Sequence, residues 1–175
     1  MALCYHQGIH LIRHDTPATE LTRIKQLLKK NHLTLDMVIT DPDYSLPQEE
    51  WSLHLHTIAS RISSLGGKYL ITCGVQDESL YEQYFQILNR ACKIVAIHGL
   101  TILLKPHGGI SASSDEMLKV VERVEHPNFG ICYDPGNILY YTAKRPEKDL
   151  PRIVQHVRAI CLKDECGGIH GDVMI

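Results

Sequence analysis

The sequence predicts an α/β protein with a parallel sheet and helices outside it. Three observations carry this. Helical and extended patterns alternate from residue 16 onward. Five short apolar runs begin near residues 33, 69, 101, 129 and 157, a spacing of roughly 30 residues, which is the length of a strand-helix unit. Each run is continuously apolar rather than alternating, as a strand buried on both faces must be.

Each element has its own signals. Thr16 is placed to cap a first helix with Pro17 in its first turn, and Leu21, Ile24, Leu27 and Leu28 make one apolar stripe ending near Asn31. An extended run over residues 33–39 comes next. Ser45 and Pro47 announce a second helix whose stripe is Leu55, Ile58, Ile62 and Leu65, closed by Gly66-Gly67 before a buried strand over residues 69–73. A third helix over about residues 79–98 opens on the capping box Ser79-x-x-Glu82, turns Ile87, Ala91, Ile94 and Val95 inward, and stops at Gly99. After the strand at residue 101, Ser113-x-x-Glu116 caps a helix with Met117, Val120, Val121 and Val124 facing the core, and Pro127 blocks its continuation. Strands over residues 129–133 and 157–162 complete the pattern.

Composition bounds the function. A chain of 175 residues suits one domain over residues 1–175 and buries roughly 70% of its unfolded surface. With 44% hydrophobic and 22% charged residues and a net charge of -2, it offers no broad basic field, so nucleic acid is not an expected partner. The six cysteines include no Cys-x-x-Cys pair; Cys73, Cys92, Cys132 and Cys161 fall in apolar stretches, where a thiol packs as a small hydrophobe. They are expected to be reduced, which suits the cytoplasm. The opening residues Met1-Ala2-Leu3-Cys4-Tyr5-His6 lack a basic segment followed by an apolar run. No stretch approaches the roughly 20 apolar residues of a membrane span, so no membrane association is expected.

Chemistry is concentrated at two strand ends. The run Thr101-Ile102-Leu103-Leu104 leads into Lys105-Pro106-His107-Gly108-Gly109, and residues 129–133 lead into Asp134-Pro135-Gly136-Asn137. In parallel α/β folds ligands bind at the C-terminal ends of strands, where loops and helix N-termini converge. Lys105 supplies positive charge for an oxyanion or phosphate, or pairs with Asp134 as a structural ion pair. His107 has the titration range of a proton shuttle, in a turn whose glycines let backbone approach a ligand; fixing that turn by a backbone hydrogen bond is the alternative. Asp134 is a metal ligand, a hydroxyl acceptor or a turn residue, and Asn137 is placed to cap the next helix. Lys163-Asp164 ends the last strand, where the lysine reaches substrate oxygens and the aspartate orients it, or the two form a solvated pair. His54 and His56, two apart on a helix, face different ways and do not form a metal pair.

From about residue 16 to residue 173 the chain resembles the sugar phosphate isomerase/epimerase family of the xylose isomerase-like TIM barrels, the AP endonuclease family 2 group. The phrases that carry the resemblance are Leu33-Thr34-Leu35, Leu65-Gly66-Gly67-Lys68-Tyr69, Leu104-Lys105-Pro106-His107-Gly108-Gly109, Cys132-Tyr133-Asp134-Pro135-Gly136-Asn137 and Leu162-Lys163-Asp164. It implies a partial (incomplete) TIM β/α barrel with parallel strands and outer helices. The five runs correspond to its third to seventh strands, Ile9-His10-Leu11-Ile12-Arg13 to a remnant of the second, and the first and eighth have no counterpart. A full barrel takes 200 or more residues, so the expectation is a fragment or a naturally reduced barrel. Its unpaired strand edges predict a homo-oligomer.

The resemblance also implies chemistry. Its members hold a divalent cation with a glutamate, an aspartate, a histidine and a second glutamate. Here Lys105 stands at the first glutamate, Asp134 matches the aspartate, Cys161 replaces the histidine, and the last glutamate lies beyond the end. The implied metal ligand is therefore Asp134 alone, for Mn, Mg or Zn, although hard cations need several oxygen ligands. The implied activity is isomerase or epimerase chemistry, proton transfer next to a carbonyl on a small carbohydrate or sugar phosphate. His107, Lys105 and Lys163 are the expected catalytic groups, and Asp134, Asn137, Asp164 and Gly108 contact substrate. The alternative is a non-catalytic relative that binds a carbohydrate or protein partner. An abasic-site endonuclease would show a cluster of histidines and carboxylates and basic loops, and the sequence has neither.

Overall fold

The structure, a computed structural model, describes residues 2–3, 5–6, 9–10, 12–40 and 45–163, with backbone alone for those before residue 12. The described residues fall into two compact units, one drawn from those up to residue 72 and from 90–102, the other from 73–89 and 103–163. The fold is a partial TIM barrel of parallel strands with helices.

In the first unit, β4 (Met37–Ile39) lies beside β5 (Tyr69–Thr72), which lies beside the first half of β6 (Thr101–Leu104). The β4–β5 register sets Val38 opposite Leu70 and Ile39 opposite Ile71. On the other side of β4 runs β1 (Ala2–Leu3), parallel to it. This corrects the expectation for Ile9-His10-Leu11-Ile12-Arg13. Of that run, Ile9 and His10 form β3 (Ile9–His10), which pairs antiparallel with β2 (Tyr5–His6) in a separate two-stranded sheet. A short apolar run specifies a strand without specifying its partner, and Ala2 and Leu3 take the place beside β4.

The helices of this unit are α1 (Ala18–Lys30), α2 (Gln48–Ser64) and the second half of α3 (Tyr81–Ile97). α1 buries none of its residues fully. Thr16 is not its cap: the Thr16 hydroxyl accepts from Arg13 N at 2.8 Å, and Pro17 holds the N-cap position. α2 buries Trp51, Leu55, Ala59 and Ile62, and leaves Ile58 and Leu65 of the expected stripe half-buried. Gly66, at φ 86°, and the Gly67 N–H to Ile62 O bond of 2.9 Å then end it as predicted. The extended run at residues 33–39 contributes only β4, because Leu33 is exposed and the ladder begins at Met37.

In the second unit the end of β6, then β7 (Phe129–Tyr133), then β8 (Val157–Ile160) lie side by side. Every residue of β7 is buried. A register shift between Ile131 and Cys132 admits one extra residue into β8, so that Ile131 faces Val157 but Cys132 faces Ala159. α4 (Ser114–Val124) turns Met117, Val120 and Val124 inward and ends on Glu125 at φ 44°. α5 (Pro135–Thr142) and α6 (Pro146–Asp149) come after β7.

Two capping expectations change. Asp77, not Ser79, starts the 3-10 turn before α3: its carboxylate accepts from Ser79 N at 2.9 Å, while Glu82 pairs with Arg123. At α4 the Ser113 hydroxyl donates to Glu116, but the backbone N–H of Ser114 points to buried Asp149, whose Oδ2 also accepts from the Ser114 hydroxyl at 2.5 Å. A carboxylate distant in sequence thus serves the helix N-terminus, where negative charge is favoured.

Candidate functional site

The site is built in the second unit from residues just beyond the ends of three strands. β6 delivers Lys105, β7 delivers Asp134, and β8 delivers Cys161 and Lys163. Lys105 Nζ lies 2.6 Å from Asp134 Oδ2, with the lysine side chain 12% exposed and the aspartate 1%. The other carboxylate oxygen, Oδ1, accepts from Asn137 N at 2.9 Å, so Asp134 is the N-cap of α5 with Pro135 in its first turn. Asn137 is therefore not the cap but the residue that the cap holds.

Lys163 Nζ approaches the same Oδ2 at 3.8 Å. Its stem lies on Gly136, where a Cβ would meet Lys163 Cγ at 2.9 Å, so a residue without a side chain lets Lys163 lie across the start of α5. Burial alone would lower the pKa of Lys105. The contact with the Asp134 carboxylate and its charge outweigh this, and the net shift is upward. Lys105 is an ammonium at any ordinary pH.

His107 stands one turn further along the β6 loop. Its Nδ1 lies 3.0 Å from the Tyr141 hydroxyl, its N–H donates to Ser111 Oγ at 3.1 Å, and its carbonyl accepts from Gln76 Nε2 at 3.3 Å. Ser111 Oγ in turn donates to Cys73 O at 2.8 Å. Gly108 and Gly109 take φ of 86° and 50°, and a Cβ on Gly109 would fall 2.3 Å from Val75 O. Gly108 is buried with Tyr141 across it, since a Cβ there would meet the Tyr141 ring at 3.2 Å. Asn137 ties the His107 loop to the Lys105–Asp134 pair: its Nδ2 donates to Pro106 O at 2.5 Å, which leaves its Oδ1 buried and unpartnered. Burial, then the neighbouring Tyr140, raises the pKa of Tyr141, so it keeps its proton; with Nδ1–H donated to the Tyr141 oxygen, the tautomer leaves Nε2 of His107 as the acceptor.

The structure thus brings together Lys105, Asp134, Asn137 and Lys163, and links His107 and Gly108 to them through Asn137 and Pro106. Asp164 lies outside the described residues. Sequence reasoning missed Tyr141, although it lies four residues after Asn137 on α5 and so shares its face. It also missed the meeting of Cys132 and Cys161, whose sulfurs are 3.5 Å apart. The hydrogen bond from Cys132 lowers the pKa of Cys161 to about 7, against the cost of burial and aided by Lys105. The Cys132 thiol is pushed up, first by the same bond and then by burial.

The Lys105 ammonium lies against a carboxylate that is 1% exposed, a setting in which an ammonium stabilises charge on a nearby oxygen strongly. The same arrangement does not fit a divalent cation. Oδ2 of Asp134 is engaged by Lys105, Oδ1 caps α5, and among the described residues no three of His, Cys, Asp and Glu group as a metal cage.

The family model described as xylose isomerase-like TIM barrel matches residues 1–172. No curated protein matches the chain significantly in sequence. Among solved structures, the probable 3-DHS dehydratase AsbF of Bacillus anthracis superimposes with a TM-score of 0.73 at 18% identity, over 86% of this chain and 58% of that one. A xylose isomerase-like TIM barrel protein of Mycobacterium smegmatis, in complex with magnesium, gives 0.72 at 12% identity over 86% and 57%. D-psicose 3-epimerase of Clostridium cellulolyticum H10, with D-tagatose, gives 0.66 at 13% over 81% and 56%. At these identities the likeness is one of fold, and the chain spans less than three-fifths of the length of each. Among the described residues no helix is long and apolar enough to cross a membrane.

Proposed function

The chain belongs to the xylose isomerase-like TIM barrel family, and from that premise we propose that it is a sugar isomerase/epimerase-like protein whose oxygen-stabilising charge is the Lys105 ammonium. The observation that carries the reading is the 2.6 Å contact of Lys105 with Asp134 at the ends of neighbouring strands. In this reading a small carbohydrate or sugar phosphate places its carbonyl oxygen beside Lys105. His107 takes the proton from the adjacent carbon, the carbon–oxygen unit becomes an enediolate, and Lys105 stabilises the negative oxygen. Return of that proton to the neighbouring carbon, with the hydroxyl proton passing from one oxygen to the other, completes an isomerisation; protonation of the original carbon on its opposite face completes an epimerisation. Lys163 and Asn137 orient substrate oxygens.

Asp134 has a positioning role: it aims the Lys105 ammonium and holds the start of α5. The proposal includes a homo-oligomer, because β8 pairs with β7 alone among the described residues and leaves Ile160 and Leu162 exposed beside it. A second reading, binding of a carbohydrate or protein partner without chemistry, is favoured by the same commitment of both Asp134 oxygens to internal partners.

Solvent deuterium decides between them. Ketoses and aldoses, with and without phosphate, are incubated with the protein in D2O and chelator. An isomerase or epimerase moves deuterium onto a substrate carbon and loses that activity in His107→Ala. A binding relative saturates without exchange. Exchange that survives both His107→Ala and Lys105→Met would overturn the assignment of the site.

A further inference from the structure

We propose that Cys132 and Cys161 form a dithiol that hydrogen peroxide converts to a disulfide, giving a redox-sensitive fastening between the ends of β7 and β8. The sulfurs already stand 3.5 Å apart, so a bond of about 2.05 Å requires them to close by about 1.5 Å. Cys132 faces Ala159 in the register, so Cys161 lies diagonally across from it and the bond must draw the end of β8 toward β7. Cys161 N donates to Tyr133 O at 2.8 Å, which sets Cys161 opposite Asp134 and turns both cysteines to the same face of the strands. β8 ends at Ile160, so Cys161 lies beyond the ladder on the strand at the edge of the sheet, where a small shift disrupts little.

The two thiols have different exposure, and this orders the chemistry. Cys132 is fully buried, whereas Cys161 is half-buried, so peroxide reaches Cys161 first. The Cys161 sulfur attacks one peroxide oxygen: an S–O bond forms, the O–O bond breaks, and the departing hydroxide takes up the thiol proton to leave as water. The Cys132 sulfur then attacks the Cys161 sulfur. The S–S bond forms, the S–O bond breaks, and the hydroxide leaves as a second water with the Cys132 proton. The two sulfurs together lose two electrons and the peroxide gains them.

The consequence lies at the site. Asp134 is two residues beyond Cys132, and Lys163 two beyond Cys161, so the bond fixes the flank on which the Lys163 to Asp134 approach depends. This inference stands apart from the proposed sugar chemistry, and its failure would leave that reading untouched.

The test uses the full chain, treated with hydrogen peroxide in slight excess, quenched with iodoacetamide and digested without reductant. Mass spectrometry is expected to show the Cys132 peptide joined to the Cys161 peptide with the loss of two hydrogens, reversed by dithiothreitol. Buried Cys92 should remain a thiol throughout. In Cys132→Ser, dimedone should trap a sulfenic acid at Cys161. A phenylarsenical, which bridges two thiols without an S–S bond, should bind once to the untreated chain and not to either Cys→Ser variant. Linkage of Cys161 to Cys73, oxidation of Cys161 to the sulfinic acid without linkage, or two free thiols after treatment would each overturn the proposal.

Discussion

Lys105 Nζ and Asp134 Oδ2 are 2.6 Å apart in surroundings that leave the carboxylate 1% exposed. Two charges taken out of water are expensive singly and acceptable only together, because each neutralises the other's desolvation cost. Lys105→Met or Asp134→Asn alone should therefore cost roughly 3–5 kcal/mol. Both changes in one chain should cost clearly less than the sum, since no unpaired charge is then buried. Urea unfolding of the four proteins measures this, and additive losses would show that the two groups are not coupled.

The same pair predicts a pH dependence. The folded-state pKa of Lys105 is raised above its ordinary value, so the stability it supplies is fully present below the lysine range near 10.5 and is lost as pH rises through the folded pKa. Unfolding midpoints from pH 7 to 11 should fall at the alkaline end more steeply for the native sequence than for Lys105→Met. Parallel curves would remove the linkage.

Tyr141 holds His107 through a 3.0 Å contact to Nδ1. Removing the hydroxyl in Tyr141→Phe should cost about 0.5–1.5 kcal/mol and shift the balance between the two neutral tautomers of the imidazole. Nitrogen NMR of the His107 ring reads that balance directly. Unchanged ring-nitrogen shifts would mean that Tyr141 does not position the ring.

Two glycines separate a backbone constraint from a side-chain one. At Gly109, φ is 50° and a Cβ would press on Val75 O at 2.3 Å, a backbone atom that cannot turn aside, so Gly109→Ala should destabilise by at least about 1–2 kcal/mol. At Gly136 a Cβ would meet Lys163 Cγ at 2.9 Å, on a flexible stem, and the Lys163 carbonyl at 3.1 Å, a contact that needs only a slight retreat. Gly136→Ala should leave stability closer to native and displace Lys163, weakening carbohydrate or phosphate binding. Equal losses of stability at the two positions would contradict this distinction.

Thiol titration has a clear order. Cys161, lowered to about 7 by the Cys132 hydrogen bond, should react with iodoacetamide along a curve with its midpoint near neutrality. Cys92, pushed up to about 12 by burial, should stay silent across that range. Cys132→Ala, which removes the donor, should move the Cys161 midpoint toward the usual thiol value. A midpoint unaffected by that change would assign the shift to the lysines instead.

How much of the molecule is legible in its sequence depends on how local each signal is. β7 matches its expected limits because Pro127 bars a helix before it and Asp134-Pro135 starts one after it. Lys105, His107 and Asp134 stand out because each closes a continuously apolar run. The caps are less readable: Asp77 and Ser79 lie two apart, and either satisfies the pattern until the backbone shows which accepts. Ile9 and His10 belong to a different sheet from the one expected, since two or three apolar residues name no partner. The Cys132–Cys161 contact, between residues 29 apart, depends on the register of β7 and β8 and on the shift between Ile131 and Cys132. Nothing in either segment alone contains that information.

The measurement that bears most directly on the Lys105 assignment is elemental analysis of the purified chain after loading with Mn, Mg or Zn, beside its Asp134→Asn variant. With Lys105 in place of a cation, neither protein should retain a near-stoichiometric ion after dialysis. A near-stoichiometric ion held by the native sequence and lost from Asp134→Asn would contradict the account, because a carboxylate engaged by Lys105 and capping α5 would then be a metal ligand after all.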